Sequence, residues 1–474
     1  MAAHHRLPPH LLMSSVGIAT IILLNACSSL PEINYLEPAP ALDQPQKNAS
    51  AKPTINNAKG ELSTSKAQAL MRQRWKNSSV GLANMQALAA LEEAVTGSPL
   101  IAGNQVTLLF DGPQTMNAMM AAIRQAKDHI HLETYIFDQD ELGLEFARLL
   151  IEKQQAGVEV NIIYDSVGTI GTPQSFFDNM KAAGIHLLAF NPVNPTKLQG
   201  PWSPNRRDHR KILIVDGEIA FTGGVNISAS YANSSLFRSK SKNPDKVGWR
   251  DTHIQITGPA VAALQWVFLE TWLNVGDKPP ADKLYFPALK NQGNKMVRVL
   301  ASEPESNPAI YKAYLLAIQE ARDSIHITSA YFVPDAQILK ALIAAAKRGV
   351  DVKIIMPGVT DSGLVFHAGQ SFYEEMLAGG IKVYQLNISV LHAKTAVIDQ
   401  VWSTVGSTNI DTRSFLHNKE VNVVVIDTEF AVAMENAFKE DLRLSTEITL
   451  ETWQQRPHMN KLKEWLARRL EYWL

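Results

Sequence analysis

One cysteine in 474 residues, Cys27, excludes an internal disulfide and any cysteine-based metal cluster. Excess charge is missing too. The formal net charge is -1, which argues against a broad nucleic-acid-binding face and leaves only a local basic pocket open. No apolar run reaches the length of a membrane span. The run "LLMSSVGIATIILL" (Leu11 to Leu24) covers 14 residues and suits the core of a signal peptide. No cluster of Asp, Glu and His carries metal-ligand spacing, so a reaction without metal or cofactor is expected. What is present is the composition of a globular protein, 46% hydrophobic and 19% charged, at a length that predicts two domains.

"LNAC" (Leu24 to Cys27) follows the apolar run. It resembles a bacterial lipobox, in which the cysteine becomes the lipidated N-terminus after cleavage. Residues 1–27 are therefore expected to be a lipoprotein signal peptide. Ser28, which is not Asp, implies the periplasmic face of the outer membrane. Residues 28–78 are rich in Pro, Ala, Asn, Ser and Lys without sustained apolar periodicity. They are expected to form a flexible tether, spanning roughly 35–40 Å on average.

The informative feature is a repeat. "DHRKILIVDGEIAFTGGVN" (Asp208 to Asn226) and "LHAKTAVIDQVWSTVGSTN" (Leu391 to Asn409) share His-x-Lys-x4-Asp, a pair of small residues, and Asn. His209 and His392, Lys211 and Lys394, Asp216 and Asp399, and Asn226 and Asn409 are all related by one offset of 183. The duplication reaches further upstream, where "DHIHLETYIFDQD" (Asp128 to Asp140) matches "DSIHITSAYFVPD" (Asp323 to Asp335). Each of these leads through strand, helix, strand, helix and strand into the His-Lys motif. That alternation predicts an α/β sandwich with a mostly parallel sheet in each of two similar lobes. The expected lobes are residues 79–285 and 286–474, joined through the Pro- and Gly-bearing stretch near Asp277 to Asn294.

Within each motif the apolar run and the Asp216-Gly217 step predict a strand hairpin. Residues i and i+2 of a strand share a face, so His209 projects with Lys211 and His392 with Lys394. A carboxylate heads a later strand in each half, Asp251 in "GWRDTHIQITG" and Glu420 in "HNKEVNVVVID". Either acid could hold a ring nitrogen of a motif histidine and fix its tautomer. Two symmetric sets meeting between the lobes would surround one phosphate with two imidazoles, two ammoniums and two amides. Lys211 and Lys394 would neutralise developing charge, and Asn226 and Asn409 would donate to the phosphoryl oxygens. One histidine would attack phosphorus while the other protonates the leaving oxygen. The sequence symmetry leaves open which does which. Asp216 and Asp399 are counted with the catalytic set, although an Asp before Gly is also a good turn former.

The duplicated motif resembles the phospholipase D superfamily over nearly all of Met85 to Leu474. The segments "NRRDHRKILIVDGEIAFTGGVNIS", "YFVPD", "LHAKTAVID" and "VGSTNIDTRSFLHNKE" are most similar to bacterial cardiolipin synthases. The resemblance implies a duplicated phospholipase D fold with its active site at the lobe interface. It also implies a phosphatidyl-histidine intermediate, with His209 as nucleophile and His392 as acid. Phosphatidylglycerol or another phospholipid at a membrane surface is the implied donor, and cardiolipin is the implied product when a second phosphatidylglycerol takes the phosphatidyl group. If water takes the phosphatidyl group, the enzyme is a phospholipase D that releases phosphatidic acid. A nuclease-type phosphodiesterase is the remaining enzymatic alternative, disfavoured by the near-neutral charge.

Three further expectations follow. The helix in "MNKLKEWLARRLEYWL" carries Leu462, Trp465, Leu466, Leu470, Trp473 and Leu474 on one stripe, expected to bury against the second lobe, with a lipid interface as the alternative. The segments Pro192 to Arg207 and Ser228 to Gly248 are candidate covers of the site. His131, His253, His326, His367 and His417 lack a duplicated setting and are expected to be structural.

Overall fold

A computed structural model describes residues 30, 52–75, 80–193, 205–232, 248–276 and 285–474. The signal segment, Cys27 and the join near residue 280 lie outside the described residues, as do the middles of both candidate covering loops.

Fifteen strands form the framework: β1 (Leu100–Leu109), β2 (His129–Thr134), β3 (Glu159–Asp165), β4 (His186–Phe190), β5 (Ile212–Val215), β6 (Ile219–Gly223), β7 (His253–Thr257), β8 (Lys295–Ser302), β9 (Ser324–Ser329), β10 (Asp351–Val359), β11 (Lys382–Leu391), β12 (Lys394–Ile398), β13 (Trp402–Gly406), β14 (Asn418–Ile426) and β15 (Ser445–Ile448). The first lobe runs β4-β3-β2-β5-β6-β7-β1. The second runs β8-β14-β13-β12-β9-β10-β11-β15. β1 pairs antiparallel with β8, so the two halves are one hydrogen-bonded sheet. In each half only three neighbouring strands are parallel. The sheets are therefore mixed, because the His-Lys hairpins and the strands after them add antiparallel pairs.

Period-2 alternation divides the apolar side chains between layers. Ile212 and Ile214 face an inner core shared by both lobes, while Leu213 and Val215 face the first lobe's outer helices. Val421, Val423 and Val425 face the same inner core, and Val424 and Ile426 face the outer core of the second lobe. The lobes thus share buried apolar surface instead of merely touching, and that fixes their relative position.

The N-terminal boundary differs from expectation. Residues within the expected 28–78 tether form a hairpin, Ile55–Asn57 with Gly60–Glu61, and a helix α1 (Thr64–Arg74). Ile55 pairs in parallel with Leu100 of β1. Ala67, Met71 and Trp75 are buried with α2 (Leu82–Thr96) in the second lobe's core, alongside Met296 and Leu300. Sparse apolar spacing hid this segment, because only one face of a short helix docks. The chain therefore enters through the second lobe before building the first.

The repeated Asp140 and Asp335 prove to be helix caps. Asp140 accepts from Gly143 N at the start of α3 (Glu141–Gln155), and Asp335 accepts from Gln337 N at the start of α4 (Ala336–Lys347). These helices cover the parallel strands. The carboxyl ends of those strands point toward the lobe interface, where open α/β sheets place their ligands.

Candidate active site

Both motif histidines lie just ahead of their hairpin strands and are held by the opposite lobe. The two-residue strand Arg207–Asp208 runs parallel to Asn418–Lys419, and His209 N donates to Lys419 O at 3.0 Å. On the other side Trp249–Arg250 runs parallel to Val390–Leu391, and His392 N donates to Arg250 O at 2.7 Å. Each of these short cross-lobe ladders continues directly into an acid, Glu420 or Asp251. The acids are therefore exchanged. His209 Nδ1 lies 3.0 Å from Glu420 Oε1, and His392 Nδ1 lies 2.6 Å from Asp251 Oδ2. An ionised carboxylate only accepts, so Nδ1 carries the proton on both rings, and Nε2 is the nitrogen that can meet a substrate.

Buried arginines fix these acid-bearing segments. Arg250 forms a two-pronged pair with Asp441, both contacts 2.8 Å, and also donates to Asp251 O. Arg210 donates to Glu420 O at 3.2 Å and to Glu303 Oε1 at 2.8 Å.

The two acid environments are not equal. Glu420 also accepts from Ser407 Oγ and, at 3.2 Å, from Asn418 Nδ2. Gly224 occupies the position equivalent to Ser407, and a Cβ there would fall 2.1 Å from Asp251 Oδ1. The shorter acid thus packs on bare backbone, and the longer one reaches a hydroxyl. Burial pushes Glu420 up, but His209, Lys211 and the Ser407 hydroxyl outweigh it and hold the group below the ordinary carboxylate range. Burial dominates at Asp251 and raises it to about 6, against the pull of Lys394.

The histidines and lysines are almost dry. Burial lowers His209 to about 4, with Glu420 opposing and Lys211 assisting. His392 is lowered well below its usual value by burial and then by Lys394. Both rings are therefore neutral near pH 7 before an anion binds. Burial depresses Lys211 to about 7 and Lys394 to about 8. Each ammonium donates to the main-chain carbonyl of its own motif histidine, Lys211 to His209 O at 2.6 Å and Lys394 to His392 O. A phosphodiester entering here would supply the missing negative charge and raise all four groups.

His209, His392, Asn226 and Asn409 all line one cavity of about 390 Å³. Asn226 accepts from Ile136 N at 3.1 Å and donates to Tyr231 OH at 2.8 Å. The site residues missed from sequence include the aromatic and basic Tyr135, Arg207, Trp249, Tyr331, Arg413 and Trp473 and the acidic Asp361 and Asp411, all of which line this cavity. Tyr135 and Tyr331 stood within the repeated "ETYIFD" and "SAYFVPD" segments, displaced by one position between copies, and that was the available signal.

Two expected catalytic residues lie elsewhere. Asp216 sits at the far end of β5 and accepts from Lys127 N, Asp128 N and His129 N at 2.7–3.1 Å. Asp399 does the same for Arg322 N, Asp323 N and Ser324 N at 2.8–3.1 Å. Both hold positive φ in the hairpin turns, 54° and 52°. These carboxylates tie each turn to the loop entering the neighbouring parallel strand. The spacing reads as part of a catalytic motif because the short strand that runs on from His and Lys ends in the turn that anchors it. The histidines expected to be structural include His131 and His326, which bond Gln265 and Glu435 respectively.

The comparisons with known proteins agree with the duplicated fold. A family profile described as "Cardiolipin synthase, PLD-like domain" matches residues 119–236 and 314–442, one match in each lobe. A cardiolipin synthase of Geobacillus kaustophilus is 36% identical over 375 residues, covering 78% of this chain and 73% of the relative. One from Listeria innocua is 36% identical over 378 residues, covering 79% and 76%. Among solved structures, a phosphatidylserine synthase from Haemophilus influenzae superposes with a TM-score of 0.62 at 14% identity, covering 82% of this chain and all of that one. At that identity the likeness speaks for the fold.

Proposed function

We propose that this chain, which belongs to the cardiolipin synthase family of phospholipase D-like enzymes and is a phosphatidyltransferase of that type, makes cardiolipin by passing a phosphatidyl group from one phosphatidylglycerol to another through His209. The observation that carries this reading is the crossed pairing of two histidines with two acids around one cavity beside two buried lysines.

In the first step His209 Nε2 attacks phosphorus and the bond from phosphorus to the glycerol oxygen breaks. His392, protonated once the phosphate anion is present, gives its proton to that oxygen, and glycerol leaves. In the second step His392 takes a proton from the hydroxyl of the second phosphatidylglycerol. That oxygen then displaces His209 from phosphorus and cardiolipin is released. Lys211 and Lys394 balance the charge on the non-bridging oxygens, and Asn226 and Asn409 donate to them. One phosphodiester replaces another, so no nucleotide is consumed.

His209 as nucleophile is supported by the stronger anion behind it. Glu420 is held ionised by three donors, whereas Asp251 is raised toward neutrality. Burial and the Lys394 ammonium keep His392 neutral until an anion binds, so the phosphate itself charges this ring for the acid role. Lipidation of Cys27, with the body held at the periplasmic face of the outer membrane, accords with the "LNAC" segment and a phospholipid substrate. An intact Met1 with unmodified Cys27 in the mature protein would remove that anchor.

The test is purified enzyme with labelled phosphatidylglycerol in a bilayer. Cardiolipin and free glycerol are expected, and excess glycerol should reverse the reaction. Phosphatidic acid as sole product, unchanged by added alcohols, would make water the acceptor.

A further inference from the structure

The C-terminal helix α5 (His458–Arg468) leaves its apolar stripe in the open, contrary to the expectation that it buries against the second lobe. Met459, Leu462, Trp465 and Leu466 are 62, 48, 55 and 54% exposed, and Leu470 just beyond is 43% exposed. The helix docks through a different face. Glu464 is buried against Arg456 at 2.7 Å, Ala467 is buried, and the Arg468 guanidinium lies 4.2 Å from the centre of the Phe372 ring. The exposure is therefore not a loose end. A patch of five large apolar side chains on a well-docked helix marks an interaction surface.

Two observations identify what covers it. First, the stripe is continuous with the catalytic cavity. Leu470 leads into the turn Glu471–Trp473, and Trp473 and Leu474 line the cavity wall. The helix Gly363–Gln370, against which α5 packs, contributes Val365 to the same wall and leaves Leu364 46% exposed. On the first lobe's side, the loop after β3 presses Gly168 against the Tyr135 carbonyl, with Tyr135 itself in the cavity wall, and exposes Ile170 at 75%. Apolar side chains thus flank the opening from both lobes. Second, Lys463 and Arg469 are exposed beside the stripe, with the Arg469 guanidinium 5.0 Å from the Trp465 ring centre. This is the pattern of a helix that lies in a lipid interface with cations at the headgroup level.

We propose that α5 and the rim residues Leu364 and Ile170 form a docking surface for an anionic phospholipid bilayer, setting the mouth of the cavity against the membrane. The stripe enters the boundary between headgroups and acyl chains, about 5–10 Å deep. Headgroups then reach His209 and His392 while their acyl chains stay in lipid. This rests on the phospholipid reading of the site.

The full-length protein is mixed with phosphatidylglycerol vesicles carrying brominated acyl chains. Trp465 is expected to lose fluorescence, so Trp465→Phe should show measurably less quenching than wild type. The double substitution Leu462→Ser with Leu466→Ser, at exposed positions, should keep the thermal transition. It should lower turnover on vesicles at least about tenfold and leave turnover of monomeric short-chain phosphatidylglycerol unchanged. Equal quenching of wild type and Trp465→Phe, with unchanged vesicle turnover in the double variant, would overturn the proposal. So would a shift from dimer to monomer in that variant without loss of vesicle turnover, which would make the stripe a contact between copies. If wild type converts neither form of phosphatidylglycerol, the functional reading fails, and the quenching comparison alone decides docking.

Discussion

Glu420→Gln tests the exchange of acids between lobes. The carboxylate accepts from His209 Nδ1, Ser407 Oγ and Asn418 Nδ2. Glutamine keeps the shape but removes the countercharge for the developing imidazolium and turns an amide NH2 toward a donor. A buried charge-assisted hydrogen bond of this kind contributes about 3–4 kcal/mol to the transition state, or roughly 10²–10³ in rate. The already depressed His209 should fall further, since Glu420 is the main influence raising it. Asp251→Asn should instead weaken His392 as acid and base. A substrate with a p-nitrophenol leaving group separates the two, because so stable an anion needs no protonation on departure. In rapid alkaline quench with labelled substrate, Glu420→Gln should form the covalent enzyme slowly with natural and nitrophenyl substrates alike. Asp251→Asn should form it slowly with phosphatidylglycerol, near the wild-type rate with the nitrophenyl ester, and then accumulate it. Rescue of Glu420→Gln but not of Asp251→Asn would refute the assigned pairing, and so would identical behaviour of the two variants.

Asp216→Ala removes an acceptor from three backbone N–H groups. It should destabilise the protein by about 2–4 kcal/mol in denaturant melts, while the activity of the remaining folded enzyme stays within a few-fold of wild type. In the second hairpin Gln400 holds a φ of 53° where the first copy has Gly217. Gln400→Gly should therefore stabilise by about 0.5–1 kcal/mol in the same assay. Deleting residues 1–51 removes Leu30, which packs against the second lobe's core, and should lower the melting transition only slightly. Deleting 1–79 strips Ala67, Met71 and Trp75 from the second lobe's core and should lower it sharply or prevent soluble expression.

Much of this molecule was legible because it is written twice. The shared offset of His209, Lys211 and Asn226 with their partners exposed the duplication, and the alternating apolar patterns gave the strand and helix order of both lobes. The same symmetry concealed the pairing of acids. Asp251 and Glu420 each follow their own lobe's motif in sequence, and only the parallel ladders at Arg207–Asp208 and Trp249–Arg250 carry them across. Asp216 and Asp399 misled because anchoring a turn to backbone amides and touching substrate leave the same signature in a duplicated motif. The docked α1 escaped notice because Ala67 and Met71 are too sparse a pattern to mark a helix. The stripe on α5 showed correctly as an amphipathic face, but periodicity does not say whether protein or lipid covers it.

The most direct test of the central claim is to locate the phosphatidyl group. His392→Ala is incubated with phosphatidylglycerol labelled in its phosphate, quenched in alkali to preserve phosphohistidine, digested, and mapped by mass spectrometry. The label should sit on the peptide containing His209, and His209→Ala should carry none. A label on His392 in His209→Ala would contradict the account, as would transfer retained in either variant without any covalent enzyme.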